Sequence, residues 1–193
     1  MKKRIFDVVL ASLGLILISP IFVIISIFIL KTNGKPIFFI QKRPGKQAKI
    51  FRMFKFRTML VSGTEGQISD AERLTPFGKF LRRTSLDEIP ELINVLIGDM
   101  SLVGPRPLLP EYLDRYTLRQ RHRHFLKPGM TGLAQVMGRN QLSWNKRFAC
   151  DIFYVRNQSL CLDLWIICKT ICILFNQKGA DFHGEKNMKK FGE

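Results

Sequence analysis

Two adjacent carboxylates, Asp87 and Glu88, with Arg82 and Arg83 just upstream, are the residues best able to do chemistry in this sequence. They lie in Ser85-Leu86-Asp87-Glu88-Ile89-Pro90, and apolar residues at 89, 92, 93, 96 and 97 continue with a helical period. At a helix start the free N–H groups and the dipole lower a carboxylate's pKa and attract a phosphate to the same spot. Simple helix capping is the competing role. Ser85 and Glu88 have capping-box spacing, with Ser85 as N-cap. Pro90 would then press on the carbonyl of Leu86. With Asp87 as N-cap, Pro90 falls in the tolerated first turn. Either start leaves Asp87 at a helix N-terminus.

Other cations stand on stiff or permissive backbone. Pro105-Arg106-Pro107 follows Gly104, so two prolines fix the arginine, a presentation suited to anion or base recognition, with a structural turn as the alternative. Gly138-Arg139-Asn140 offers a second arginine beside a glycine, and Lys55 and Arg57 lie in a β-prone run where phosphate binding competes with a solvated or lipid-facing charge face.

The elements that must carry these groups follow from charge and hydropathy. The chain has 193 residues and a formal net charge of +16. Residues 1–60 hold 12 Lys/Arg against one acid, so most of the excess flanks an apolar N-terminus, a pattern that suits an anionic membrane surface. Aromatic-interleaved RNA motifs and a C-x-x-C framework are absent, so nucleic acid is not an expected partner. Cys150, Cys161, Cys168 and Cys172 lack ligand spacing and read as reduced, small apolar residues.

Val8–Leu30 is almost uninterrupted apolar sequence, long enough to span a bilayer at about 1.5 Å per residue. Ser19-Pro20 interrupts its centre, where the proline frees a carbonyl that the Ser19 hydroxyl can satisfy. Both flanks are basic, and the positive-inside rule favours one side for both. A re-entrant helix–break–helix meets that demand; a spanning helix is equally open on physical grounds. Pro36–Gln41 and Lys49–Arg57 predict a basic β-hairpin around the turn Arg43-Pro44-Gly45-Lys46. Leu60–Arg73 reads as a polar loop, and Leu109–Phe125 as a basic helix with a solvated or headgroup-facing side. Trp144–Val155 is a further helix. Leu160–Phe175, with Asp163 and Lys169, is too short and charged for a span and reads as an interfacial or core helix. The tail from Asn176 is polar.

These stretches together resemble the small monotopic phosphoglycosyl transferases, bacterial sugar transferases that load a polyprenyl phosphate carrier. The resemblance runs from Lys3-Arg4-Ile5-Phe6-Asp7 to about Phe175. It is carried by Ser19-Pro20, Gln41-Lys42-Arg43-Pro44-Gly45, Phe54-Lys55-Phe56-Arg57-Thr58-Met59, Ser85-Leu86-Asp87-Glu88, the segment from Gly98-Asp99-Met100-Ser101 to Pro105-Arg106-Pro107, Lys127-Pro128-Gly129-Met130-Thr131-Gly132 and Gly138-Arg139-Asn140. It is most similar to transferases of N-acetylated amino sugars such as diacetylbacillosamine. Leu133, where the family often has Trp, and Met137, where a smaller polar residue is common, depart from the pattern and bear on specificity.

The resemblance implies an α+β, mainly α fold. A re-entrant membrane helix (residues 1–35, broken at Ser19-Pro20) would precede a cytoplasmic, membrane-associated catalytic domain (36–176) with interfacial helices around a membrane-surface site, then a polar tail (177–193). It implies transfer of a sugar-1-phosphate from a UDP-sugar to undecaprenyl phosphate with Mg²⁺, at the cytoplasmic face of the bacterial inner membrane, where downstream glycosyltransferases are candidate partners. Asp87 would be the nucleophile and Glu88 the Mg²⁺ ligand. Lys55, Arg82 and Arg139 would bind phosphates or order the carboxylates, Pro105, Arg106 and Pro107 would lie near the uridine, and Asp163 would be an acidic residue near the site. The alternatives are the same chemistry with a neutral hexose donor, or a basic membrane-anchored binding protein without catalysis.

Overall fold

The computed structural model describes residues 1–61, 69–138, 141–176 and 191. A long helix α1 (Lys2–Thr32) leads into an antiparallel hairpin of β1 (Phe38–Pro44) and β2 (Ile50–Phe56), in the register Phe38↔Phe56 to Pro44↔Ile50. Short helices α2 (Asp70–Arg73), α3 (Pro76–Thr84) and α4 (Glu91–Ile97) follow. Strand β3 (Ser101–Val103) pairs in parallel with β4 (Gly129–Thr131), and between them lie two 3₁₀ turns and α5 (Leu118–Arg121). Helices α6 (Leu133–Met137), α7 (Trp144–Asn157) and α8 (Leu160–Asn176) complete the described chain.

Helix α1 is apolar all round and lies along the domain by one stripe. Asp7, Ala11, Ile25 and Ile29 are buried, and Leu15, Ile18 and Phe22 pack on the same core, a spacing that keeps one helical face inward. Gly14 faces Leu92 of α4, and Phe22 meets Phe56 of β2 with ring centroids 4.8 Å apart. The other faces expose Leu13, Ile16, Leu17, Val23, Ile24 and Ile27, and the helix is long and apolar enough to cross a membrane. The expected break at Ser19-Pro20 is absent: α1 runs through it as one helix. Pro20 has no N–H for the Ile16 carbonyl, and the Ser19 Oγ donates to that carbonyl at 2.8 Å, which removes much of the reason to break.

Both ends of α1 are tied to the domain. Lys3 pairs with Asp163 at 2.8 Å, Arg4 donates to the carbonyls of Val95 and Leu96 at the C-terminal end of α4, and the Asp7 carboxylate accepts from the Ser101 hydroxyl and the Leu102 N–H. At the other end, the buried Arg57 guanidinium donates to the carbonyls of Asn33, Gly34 and Lys35, satisfying acceptors where the helix stops.

The hairpin forms where expected, with β1 extended to Pro44. The polar loop expected over Leu60–Arg73 instead ends in α2, started by a Ser69–Glu72 capping box; residues 62–68 lie outside the described residues, as does the expected polar tail apart from Phe191. The single basic helix expected over Leu109–Phe125 is three short pieces, because Pro110 and the Thr117–Gln120 capping box each start a new turn. Its charge face is not wholly solvated, since Arg123 and His124 are buried. Helix α8 matches its expected span and exposes Leu164, Trp165, Ile171, Leu174 and Phe175. All four cysteines are free thiols.

Candidate active site

Five segments bring the charged groups together. Gly78 of α3 lies against the Thr58 backbone so closely that a Cβ there would stand 1.9 Å from the Thr58 carbonyl oxygen. That approach lets Arg82, one turn on, donate its Nε to the Thr58 hydroxyl at 3.0 Å. Helix α3 stops at Ser85, which takes the left-handed conformation (φ 57°, ψ 16°), and a 3₁₀ turn Leu86–Glu88 carries the carboxylate pair. Pro90 is the N-cap of α4. Neither expected cap of α4 is therefore used: Ser85 ends one helix and opens the 3₁₀ turn without a side-chain cap bond, and Asp87 sits in that separate turn ahead of α4. The Glu88 side chain bonds elsewhere than to Ser85.

Strand β2 delivers Lys55, whose Nζ lies 2.6 Å from Glu88 Oε1 and 3.2 Å from Glu91 Oε1. Asn94 sets the spacing between strand and helix. Its carboxamide accepts from the Phe54 N–H at 2.9 Å and donates to the Arg52 carbonyl at 2.7 Å, occupying the edge of β2 that β1 leaves uncovered. The loop after β3 delivers Arg106, whose Nη2 donates to the same Glu88 Oε1 at 2.7 Å. The loop rests on the start of β4, where a Cβ at Gly129 would stand 2.0 Å from the Gly104 nitrogen. Pro105 and Pro107 line a small cleft with Pro44, Gly45 and His124.

Electrostatics separate the three carboxylates. Burial, reinforced by the neighbouring Glu88 charge, pushes Asp87 up to about 6, against the pull of Lys55, Arg82 and Arg106. The sequence-based expectation of a lowered Asp87 pKa is thus reversed, because desolvation and a like charge outweigh any helix-end effect. Burial also disfavours a charged Glu88, but Arg106 and Lys55 outweigh it and hold that carboxyl well below the ordinary range. Glu91 is almost wholly buried and is pushed up to about 7 by burial and by Glu88. For Lys55, Glu88 and Glu91 overcome the effect of burial and raise its pKa.

Of the residues expected at the site, Asp87, Glu88, Lys55, Arg82 and Arg106 form one charge cluster. Asp163 does not join it through its bonds: it is fully buried and accepts from Lys3, from the Tyr154 hydroxyl at 2.6 Å and from Gln158 at 3.1 Å, so it anchors α1 to α8. Arg139 and Asn140 lie outside the described residues. Glu91 and Asn94 were missed as site residues. Glu91 reads as an ordinary first-turn acid, and Asn94 as a polar residue inside an apolar run, which is the one signal that could have marked a buried hydrogen-bonding role. Among the described residues, no group of three or more His, Cys, Asp or Glu forms a metal cage. A Mg²⁺ site needs only one or two carboxylates when substrate phosphates supply the rest, and the ionised, partly exposed Glu88 beside Asp87 meets that requirement.

The sequence matches the family described as bacterial sugar transferase over residues 1–177. An uncharacterised sugar transferase of Bacillus subtilis, EpsL, is 46% identical over 88% of this chain and 85% of its own length. The UDP-glucose:undecaprenyl-phosphate glucose-1-phosphate transferase of Klebsiella pneumoniae is 42% identical over 92% of this chain. The undecaprenyl-phosphate galactose phosphotransferase of Salmonella typhimurium is 38% identical, again over 92%. This chain spans 41% of each of these two longer relatives.

Proposed function

The chain belongs to the bacterial sugar transferase family, and we propose that it transfers a sugar-1-phosphate from a UDP-sugar to undecaprenyl phosphate, releasing UMP. The observation that carries this reading is the charge cluster: adjacent carboxylates of opposite character, Asp87 pushed up to about 6 and Glu88 held low, set among Lys55, Arg82 and Arg106. A scaffold that used its charge only to hold a membrane would have no use for it. The reactions named for the Klebsiella and Salmonella relatives support the same general chemistry.

At neutral pH Asp87 is ionised, and its raised pKa makes it a more basic nucleophile than an ordinary aspartate. An Asp87 carboxylate oxygen attacks the β-phosphorus of the donor. The bond from that phosphorus to the oxygen bridging to the α-phosphorus breaks, and its electron pair leaves with UMP. The sugar phosphate is then held on Asp87 as an acyl phosphate. In the second half, an oxygen of undecaprenyl phosphate attacks the same phosphorus, and Asp87 leaves as the carboxylate. Phosphoryl transfer of this kind depends on positioning and charge neutralisation. Lys55, Arg82 and Arg106 supply the cations. Glu88 would hold Mg²⁺, which when bound neutralises diphosphate charge and orients its oxygens.

The lipid acceptor explains the membrane element. Both ends of the unbroken helix α1 are tied to the one domain, and its outer apolar faces are left for lipid, which favours a monotopic placement with the site at the cytoplasmic surface. Downstream glycosyltransferases would take the lipid-linked product. The donor is an N-acetylated amino sugar or a neutral hexose; glucose and galactose, named for the two longer relatives, favour the hexose. The deciding experiment offers UDP-glucose, UDP-galactose and UDP-N-acetylated amino sugars, with undecaprenyl phosphate and Mg²⁺, to the full chain in nanodiscs and measures UMP. Turnover with one class identifies the donor. Salt-sensitive lipid binding with no UMP from any donor overturns the transferase reading.

A further inference from the structure

Arg123 belongs to a basic run of the sequence, yet its side chain is only 2% exposed. Its Nε and Nη2 donate to Asp151 Oδ2 of α7 at 3.0 and 2.8 Å, and Nη2 also donates to the backbone carbonyl of Arg106 at 2.7 Å. The guanidinium carbon lies 5.8 Å from the Tyr116 ring centroid and 5.7 Å from that of Phe148, which box it in. A buried ion pair is seldom better for stability than a well-packed apolar pair of the same volume. What an apolar pair cannot do is hold the Arg106 carbonyl. The flanking prolines lack an N–H and are held through their carbonyls, Pro105 by the Gly129 N–H at 3.1 Å and Pro107 by Arg43 Nη1 at 3.3 Å; the bond from Arg123 is the one that falls on the Arg106 backbone itself. The same residue's guanidinium reaches Glu88 Oε1 at 2.7 Å.

We propose that Arg123, held by Asp151, is a positioning residue that sets the Arg106 guanidinium on Glu88. It touches neither carboxylate of the catalytic turn and acts through the Arg106 loop. The inference rests on the proposed transferase site, so its test has one arm that needs no turnover. Arg123→Met/Asp151→Leu replaces the buried pair with apolar side chains. In that variant, phenylglyoxal modification of Arg106, mapped by peptide mass spectrometry in nanodiscs, accelerates at least about threefold, because the Arg106 carbonyl has lost its donor while its neighbours in the loop keep theirs. An unchanged rate at Arg106 overturns the inference whatever the enzyme's activity.

The second arm is a cycle on UMP release. The pair replacement lowers kcat/KM by about 10- to 100-fold, the scale of a displaced positioning group. In an Arg106→Ala background the same replacement costs less than about threefold more. A general structural role would give losses that multiply, and multiplying losses or an unimpaired pair variant overturn the proposal. Arg123→Lys, which keeps a cation beside Asp151 but lacks the planar fork that also reaches the Arg106 carbonyl, is read identically and serves if the apolar pair fails to fold. Wild-type turnover with an inactive Asp87→Asn control in the same assay upholds the transferase reading; absent turnover refutes that reading alone, leaving Arg106 reactivity to decide this one.

Discussion

Asn94 is the residue on which the distance between Lys55 and the carboxylate turn depends, and its replacement has a computable cost. It is fully buried on α4, and its carboxamide makes two hydrogen bonds to the backbone of β2, at 2.9 Å to the Phe54 N–H and 2.7 Å to the Arg52 carbonyl. Asn94→Leu roughly preserves volume and removes both bonds. Each bond contributes about 1 kcal/mol net, and each of these part-buried backbone groups left without a partner costs up to about 1–3 kcal/mol. The expected loss is therefore about 2–5 kcal/mol, a large share of the 5–15 kcal/mol typical of a folded domain. Urea unfolding in mild detergent, followed by tryptophan fluorescence, measures it. UMP release should fall further than stability alone explains, because Lys55 is one residue from Phe54 and loses its register against Glu88 and Glu91. A destabilisation below about 1 kcal/mol, with turnover intact, would refute the claim that this carboxamide ties β2 to α4.

Three further outcomes are expected. Gly78→Ala places a Cβ 1.9 Å from the Thr58 carbonyl oxygen, against backbone that cannot rotate away; a loss of about 3 kcal/mol or more in thermal or denaturant unfolding is expected, and an unchanged midpoint contradicts the packing. Arg57→Met leaves the carbonyls of Asn33, Gly34 and Lys35 without their donor and should cost about 2–4 kcal/mol, read by unfolding in detergent. Asp87 has a folded pKa raised to about 6 by burial and by Glu88, so its charged form is the disfavoured one in the fold. Its cost appears as pH rises from the ordinary carboxylate range through about 6; Asp87→Asn should therefore stabilise the metal-free protein by about 1–3 kcal/mol at pH 8 and by little at pH 4. Equal effects at both pH values would contradict the raised pKa.

Much of the fold is legible because apolar periodicity and turn residues act locally. The hairpin follows from β-prone runs either side of Pro44-Gly45, and α8 from sixteen mostly apolar residues. The chemistry-bearing residues are legible for a different reason: Asp87-Glu88 and Arg106 stand in unusual local company, a proline-bounded turn and a Pro-Arg-Pro loop. What local reading misses is set by contacts between distant segments. The capping signal at Ser85–Glu88 loses to Lys55 and Arg106, which arrive from β2 and from the loop after β3 and take the Glu88 carboxylate. The break at Pro20 is outweighed by a hydroxyl one residue away and by core contacts along the whole helix. Arg123 reads as a surface charge because its partner Asp151 lies 28 residues on. Asp163 reads as a site residue because family likeness gives its position and not its bonds to Lys3 and Tyr154.

The central claim is that Asp87 holds the sugar phosphate covalently. The most direct measurement incubates the protein in nanodiscs with Mg²⁺ and a UDP-sugar labelled in the sugar, without undecaprenyl phosphate, and locates the label by rapid acid quench and peptide mass spectrometry. The expected result is UMP released in proportion to label bound, the label on the peptide containing Asp87, its loss on adding undecaprenyl phosphate, and neither label nor UMP from Asp87→Asn. UMP formed only when the lipid acceptor is present, with Asp87→Asn retaining near wild-type turnover, would contradict it.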